Sequence, residues 1–227
     1  MKIQDIGFIL DVKPCKSDEQ MVKKLYKLLD MSKPPAKMKK MERVGNSGKE
    51  GEVFKVVIRG KEYALKQFRK SKSINRIREE AFLQQIGAHN DLSPIVRHID
   101  TENRNIVMDL MDKSLLDVIV SNDGLIPFKF QKQIIDIFKK LDSIGVFHAD
   151  PNPTNFMLKG QKIYLIDYGF AVPITPALMK KHKTDTPNMK FMVLGLMSRL
   201  KELFGNNLRS AYYLESFLSS ADKKMIL

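Results

Sequence analysis

His148-Ala149-Asp150-Pro151-Asn152-Pro153-Thr154-Asn155 reads H-x-D-x-x-x-x-N, and Ile166-Asp167-Tyr168-Gly169 follows it after the apolar run Ile163-Tyr164-Leu165. Together the two stretches place two carboxylates and one amide on turns beside short strands. One carboxylate can orient or deprotonate an attacking hydroxyl. An amide oxygen and a second carboxylate can hold magnesium on nucleotide phosphates. Asp150 suits the first task, and Asn155 with Asp167 the second.

Upstream of this pair, strand signals fall at 41–44, 53–58 and 63–68, where β-formers gather, and Arg59-Gly60-Lys61 turns the second into the third. Between the first two lies Gly45-Asn46-Ser47-Gly48-Lys49-Glu50-Gly51-Glu52-Val53. Glycine lacks a Cβ, so backbone amides in such a stretch can close over phosphates. A helix is expected over 73–87, carrying Ile77, Ala81, Leu83 and Ile86 and stopped by Gly87, with strands following at 95–99 and 105–110. From Ser114 the pattern turns helical. A short helix is expected at 114–120 and a long amphipathic one at 128–144, with Ile134, Ile135, Ile137, Phe138 and Leu141 inward and Gly145 as its stop. Strands at 156–158 and 163–166 flank Lys159-Gly160-Gln161, and helices are expected near 176–183, 188–204 and 208–219. Residues 1–40 read as an extension holding one helix capped near Ser17, with Val22, Leu25, Tyr26 and Leu29 on one face, and a Ser32-Lys33-Pro34-Pro35 linker.

These motifs, in this order, resemble the protein-kinase-like superfamily over roughly 41–172. The resemblance implies an α+β, two-lobed protein-kinase-like fold. An antiparallel-sheet N-lobe with one helix would span 41–111, and a truncated, mainly helical C-lobe 112–227, behind the extension 1–40. It also implies ATP and Mg2+ as cofactors. Gly48, Lys49, Glu50, Gly51 and Val53 would form the phosphate-covering loop, with Asn46 where the family has its first glycine. Tyr63-Ala64-Leu65-Lys66 resembles the family's V-A-I-K strand, so Ala64 would line the nucleotide site and Lys66 would reach the phosphates. Glu79 is the expected carboxylate for Lys66, because Phe82, Leu83 and Ile86 follow it at the family's spacing; Glu80 is the reserve. Met108-Asp109-Leu110-Met111 would be the hinge, with Asp109 and Met111 offering backbone groups to the adenine. Asp150 would align the acceptor hydroxyl, Asn155 and Asp167 would bind magnesium, and His148 would brace the turn from within the core.

Three departures shape the functional expectation. Ala149 stands in place of an arginine that in the family pairs with a phosphate on the activation loop, so an enzyme competent as made is expected. Asn152 replaces the lysine of serine/threonine kinases. Beyond Gly169 no Ala-Pro-Glu occurs and the sequence runs to Leu227, which makes the expected C-lobe similar to compact kinases that bacteria inject into host cells and to small viral ones. The leading expectation is therefore a magnesium-dependent kinase acting on serine or threonine of a protein, with a host heat-shock chaperone as acceptor if the chain is a secreted effector. A small-molecule phosphotransferase of the antibiotic or choline type is the alternative, since such enzymes also use H-x-D-x-x-x-x-N without the arginine. A third is a basic binding module with a vestigial nucleotide site, touching its partner through Lys180-Lys181-His182-Lys183 and 37–40.

Composition agrees with a folded enzyme. Of 227 residues, 43% are hydrophobic and 29% charged, which is enough to bury a core. The net charge of +13 suits a site for an anionic nucleotide, and without aromatics among the lysine clusters no specific nucleic-acid partner is expected. Cys15 is the sole cysteine, so an internal disulfide is excluded. Asp5 and Asp11 interrupt the early apolar run, and no segment approaches the ~20 apolar residues of a membrane span. A cytoplasmic site of action is expected, in the host cell if the chain is secreted.

Overall fold

The computed structural model describes residues 39–44 and 50–226. The helix expected near Ser17 to Leu29, together with Asn46, Gly48 and Lys49, lies outside the described residues. The remainder is α+β and falls into two compact units, the first ending at Met111 and the second beginning at Asp112.

The first unit is an antiparallel sheet with one helix. Strands β1 (Lys39–Arg43), β2 (Gly51–Ile58), β3 (Lys61–Phe68), β4 (Val96–Asp100) and β5 (Asn105–Asp109) take the order β1-β2-β3-β5-β4. Arg59 and Gly60 both have positive φ, 51° and 79°, the geometry of a two-residue hairpin that matches strand twist, and it pairs Ile58 with Lys61. One sheet face buries Val56, Leu65 and Val107, with Phe54, Ile58 and Tyr63 packed around them. Helix α1 (Ile74–His89) starts at Ser73, whose side chain accepts from the Arg76 amide, and packs near β4.

The second unit is mainly helical. A reciprocal Ser114–Asp117 capping box opens α2 (Leu115–Ser121). Helix α3 (Phe128–Ser143) buries the five expected inward residues, and Phe138 meets Phe156 edge-on at 5.8 Å. Gly145, at φ 70°, lets the chain leave α3. Three short strands follow the order β6-β8-β9, namely β6 (Lys113–Ser114), β8 (Phe156–Lys159) and β9 (Lys162–Leu165). A further pair joins β7 (Val146–Phe147) to β10 (Val172–Pro173). Helix α4 (Pro176–His182) precedes a π-helical turn at Asn188–Met192, which runs straight into α5 (Val193–Phe204).

The helix expected over 208–219 shrinks to α6 (Tyr212–Glu215), with α7 (Ser220–Ile226) after it. The cause is that the start of this segment is already committed elsewhere. The Arg209 amide donates to Gly124 at 2.8 Å, and the Arg209 carbonyl accepts from Ile126. Ser210 adopts φ 51° and cannot begin a helix. Gln131, fully buried on α3, then captures the chain. Its Nε2 donates to the carbonyls of Ile126 (2.7 Å) and Ser210 (2.5 Å), while its Oε1 accepts from the amides of Tyr213 and Leu214. Gln131→Leu keeps the volume but leaves these buried backbone groups unpaired. Urea unfolding should show a loss of about 2–4 kcal/mol, where Lys132→Gln at an exposed position of the same helix changes stability by less than about 1.

Candidate active site

In the first unit, strand alternation decides which residues share a face. Leu65 points into the Val56–Val107 core, so Ala64, Lys66 and Phe68 lie together on the opposite face, all buried. Pairing sets Lys66 against Val53 on β2 and Ile106 on β5. On α1 the stripe Ile77, Glu80, Ala81, Gln84 follows helical spacing and is buried throughout. The two elements meet through charge. Lys66 Nζ lies 2.6 Å from Glu80 Oε1, and the Glu80 side chain is 1% exposed. Lys72 Nζ reaches the other oxygen, Oε2, also at 2.6 Å. At the end of β5, Met108 is buried and its sulfur accepts from Gln84 Nε2 at 3.4 Å. Arg97 grips the Asp109 carboxylate with two hydrogen bonds, 2.7 and 2.8 Å, and the Asp109 amide donates to the Ile95 carbonyl at 3.1 Å.

In the second unit the H-x-D-x-x-x-x-N stretch forms one braced turn. Asn155 Nδ2 donates to Asp150 Oδ2 at 2.8 Å, so the amide oxygen of Asn155 is the atom left to serve a cation. Asn152 caps the short helical turn Pro153–Asn155 by accepting from the Thr154 amide. The Asn155 carbonyl accepts from the Ile166 amide, which ties this turn to the stretch carrying Asp167. His148 is fully buried; its Nε2 donates to the Ile166 carbonyl at 3.1 Å and its ring meets buried Tyr168 edge-on at 4.7 Å. Ala149 and Asp167 both hold left-handed backbone, φ 61° and 64°, a strained state concentrated where function needs a fixed side-chain direction.

A buried polar relay holds His148 from behind. The His148 amide donates to Asn188 Oδ1, and Asn188 Nδ2 donates to the Val146 carbonyl and to Asp142 Oδ1. Asp142 also accepts from the amides of Asn188 and Met189. Burial pushes the Asp142 carboxyl above its usual range, against the pull of those donors. At Gly195 on α5 an added Cβ would stand 2.5 Å from the Pro151 ring, so this helix backs directly onto the H-x-D-x-x-x-x-N stretch.

A protein kinase domain model matches residues 38–190. The chain belongs to the protein kinase family. Among curated relatives it is 25% identical over 133 residues to a probable bifunctional tRNA threonylcarbamoyladenosine biosynthesis protein of Methanobrevibacter smithii, covering 54% of this chain and 24% of that one. It is 27% identical over 134 residues to a putative serine/threonine-protein kinase of Acanthamoeba polyphaga mimivirus, covering 55% and 25%. It is 30% identical over 99 residues to the KEOPS complex subunit Bud32 of Pyrococcus abyssi, covering 42% and 44%. The chain thus spans from about a quarter to under half of the length of these relatives.

Each unit brings its own expected residues together: Val53, Ala64 and Lys66 on adjoining strands, and Asp150, Asn155 and the Asp167 stretch on joined turns. The expected partner of Lys66 is corrected. Glu80, the reserve, makes the ion pair, while Glu79 binds Arg76 at 3.2 Å on a partly exposed flank. One helical residue is a turn of ~100°, and the buried stripe runs through 77, 80, 81 and 84, so Glu79 faces away from it. Asp142, Asn188 and Tyr168 were not singled out from the sequence. For Asn188 the available signal was a polar residue opening the apolar run of the last long helix, directly after Pro187.

Burial pushes the His148 imidazole below the ordinary histidine range, despite the nearby carboxylates of Asp167 and Asp150, which pull it up. The unfolded chain therefore takes up a proton near pH 6.5 that the folded one refuses. The stability contribution is full above that pH and is lost as pH falls through it. His98 is shifted in the same direction by burial. Between pH 7.5 and 5.5 the unfolding free energy read from urea titrations should fall, by up to about 1.4 kcal/mol per pH unit for each histidine below about pH 6.5. His148→Gln, which keeps an N–H for Ile166, should flatten the slope; an unchanged slope would contradict the assignment.

Proposed function

We propose that the chain is an ATP- and magnesium-dependent protein kinase that transfers the γ-phosphate to serine or threonine. The buried Lys66–Glu80 pair carries the reading. A lysine locked by a carboxylate inside a sheet has no purpose as a solvated surface charge, and it is the arrangement that presents an ammonium to nucleotide phosphates. The second unit supplies hard oxygen donors suited to magnesium in the Asn155 amide and the Asp167 carboxylate. The metal, when bound, would neutralise charge on the phosphates. Asp150, fixed by Asn155, would orient the acceptor hydroxyl and take its proton. His148 and Asn188 hold the backbone that aims Asp150. Ala149 leaves the stretch without an arginine for a loop phosphate, which supports activity that needs no prior phosphorylation.

Serine and threonine as acceptors draw support from the printed name of the mimiviral relative and from that of a probable serine/threonine-protein kinase BUD32 homolog of Archaeoglobus fulgidus, 26% identical over 112 residues, whose name also ties it to the Bud32 relative. A host chaperone and an effector role draw none from the relatives named here. Two of those relatives instead carry names from tRNA threonylcarbamoyladenosine biosynthesis and the KEOPS complex, which favours a second reading: a kinase-fold subunit whose phosphate chemistry serves a larger assembly. No helix among the described residues is long and apolar enough to cross a membrane.

The test is incubation with magnesium, γ-labelled ATP and a generic acceptor protein such as casein, beside Asp167→Ala. Label on phosphoserine or phosphothreonine with the wild type, reduced at least about 100-fold in the variant, is the expected result. Release of labelled phosphate without protein labelling would favour the assembly reading. Equal labelling by both proteins would overturn the metal assignment.

A further inference from the structure

We propose that Lys72 is a second positioning cation of the nucleotide site, one that shares Glu80 with Lys66 and cancels the charge of Glu50 at the edge of the glycine stretch. The proposal rests on the kinase reading above. Its residues all lie in the first unit.

Glu80 is a carboxylate with both oxygens committed to different ammoniums, Oε1 to Lys66 and Oε2 to Lys72, each at 2.6 Å. Lys72 is itself buried, its side chain 8% exposed, and it forms a further ion pair with Glu50. Phe68 lies beneath both cations, with its ring centroid 5.1 Å from Lys66 Nζ and 4.8 Å from Lys72 Nζ. The Lys72 backbone is held too. Its amide donates to Arg69, its carbonyl accepts from Arg104, and Ser73 next to it caps α1. The Glu50 carbonyl accepts from the Arg69 amide at 2.9 Å, so the start of β2 and the exit of β3 are joined by backbone as well as by charge.

The consequence is electrostatic. Four buried or half-buried charges, two of each sign, balance one another around Phe68. Removing Lys72 leaves two carboxylates, Glu50 and Glu80, facing a single ammonium at the place where a polyanion must bind. Like charges near a phosphate site weaken its affinity, and a buried carboxylate that loses one donor draws harder on the other. Lys66 would then be pulled toward Glu80 and away from the phosphates. Neutralising Glu50 in that background removes one of the offending charges. A purely structural role for Lys72 would not produce such a rescue.

The experiment measures magnesium-ATP binding by calorimetry, together with the KM for ATP and kcat, for the full chain. Lys72→Met should weaken magnesium-ATP binding and raise its KM about tenfold or more, a larger change than in kcat. Lys72→Arg should stay within about threefold of wild type, and Lys72→Met/Glu50→Gln should recover at least about threefold of the loss. If Lys72→Met does not fold, Lys72→Gln, with a neutral hydrogen-bonding side chain, takes its place under the same expectation. Wild-type affinity in the folded neutral variant, or no recovery in the double variant, overturns the role of Lys72 and leaves the kinase reading standing. Failure of the wild type to bind magnesium-ATP overturns both.

Discussion

A charge inside a protein must be matched, and in the first unit that requirement falls on Glu80. Its carboxylate is almost fully shielded from water, so α1 can dock only where cations meet it. The register of β3 with β2 and β5 brings Lys66 to that point, and the turn leading into α1 brings Lys72. Breaking such a pair on one side costs about 3–5 kcal/mol, because the orphaned charge stays buried. The helix position and the face of β3 presented to a ligand both follow from this one constraint.

The second unit solves a parallel problem with neutral groups. Asp150 needs a fixed direction, yet it sits on a turn with left-handed backbone at Ala149. Strain of that kind persists only where the surroundings over-determine it. Here the determinants are the His148 amide on Asn188, the His148 ring on Ile166 and Tyr168, and the Asn155 amide on Asp150. Asp142 anchors Asn188 in turn, so the end of α3, the π-helical turn and the His148–Asn155 stretch share one hydrogen-bond system. The close approach of Gly195 to Pro151 lets α5 support the same loop through packing.

Much of this was legible in the sequence because motif spacing reflects chemistry. The H-x-D-x-x-x-x-N stretch, the Tyr63-Ala64-Leu65-Lys66 strand, the strand order and the inward face of α3 could be read directly. Glu79 was favoured over Glu80 because the residues after it match a familiar spacing, whereas the stripe through Ile77, Ala81 and Gln84 selects Glu80. Asn188 and Asp142 are 46 positions apart, and nothing in a single sequence links them. The 208–219 stretch has helical composition, but Gln131 and Gly124 claim its backbone first, a tertiary contest that local propensity does not register.

The central claim is that a lysine locked by Glu80 makes this chain a kinase. The most direct test compares magnesium-ATP turnover of Glu80→Gln and Glu79→Gln, purified side by side. The account predicts that Glu80→Gln loses about 100-fold or more in kcat/KM while Glu79→Gln stays within about twofold of wild type. A crippled Glu79→Gln beside a fully active Glu80→Gln would contradict it.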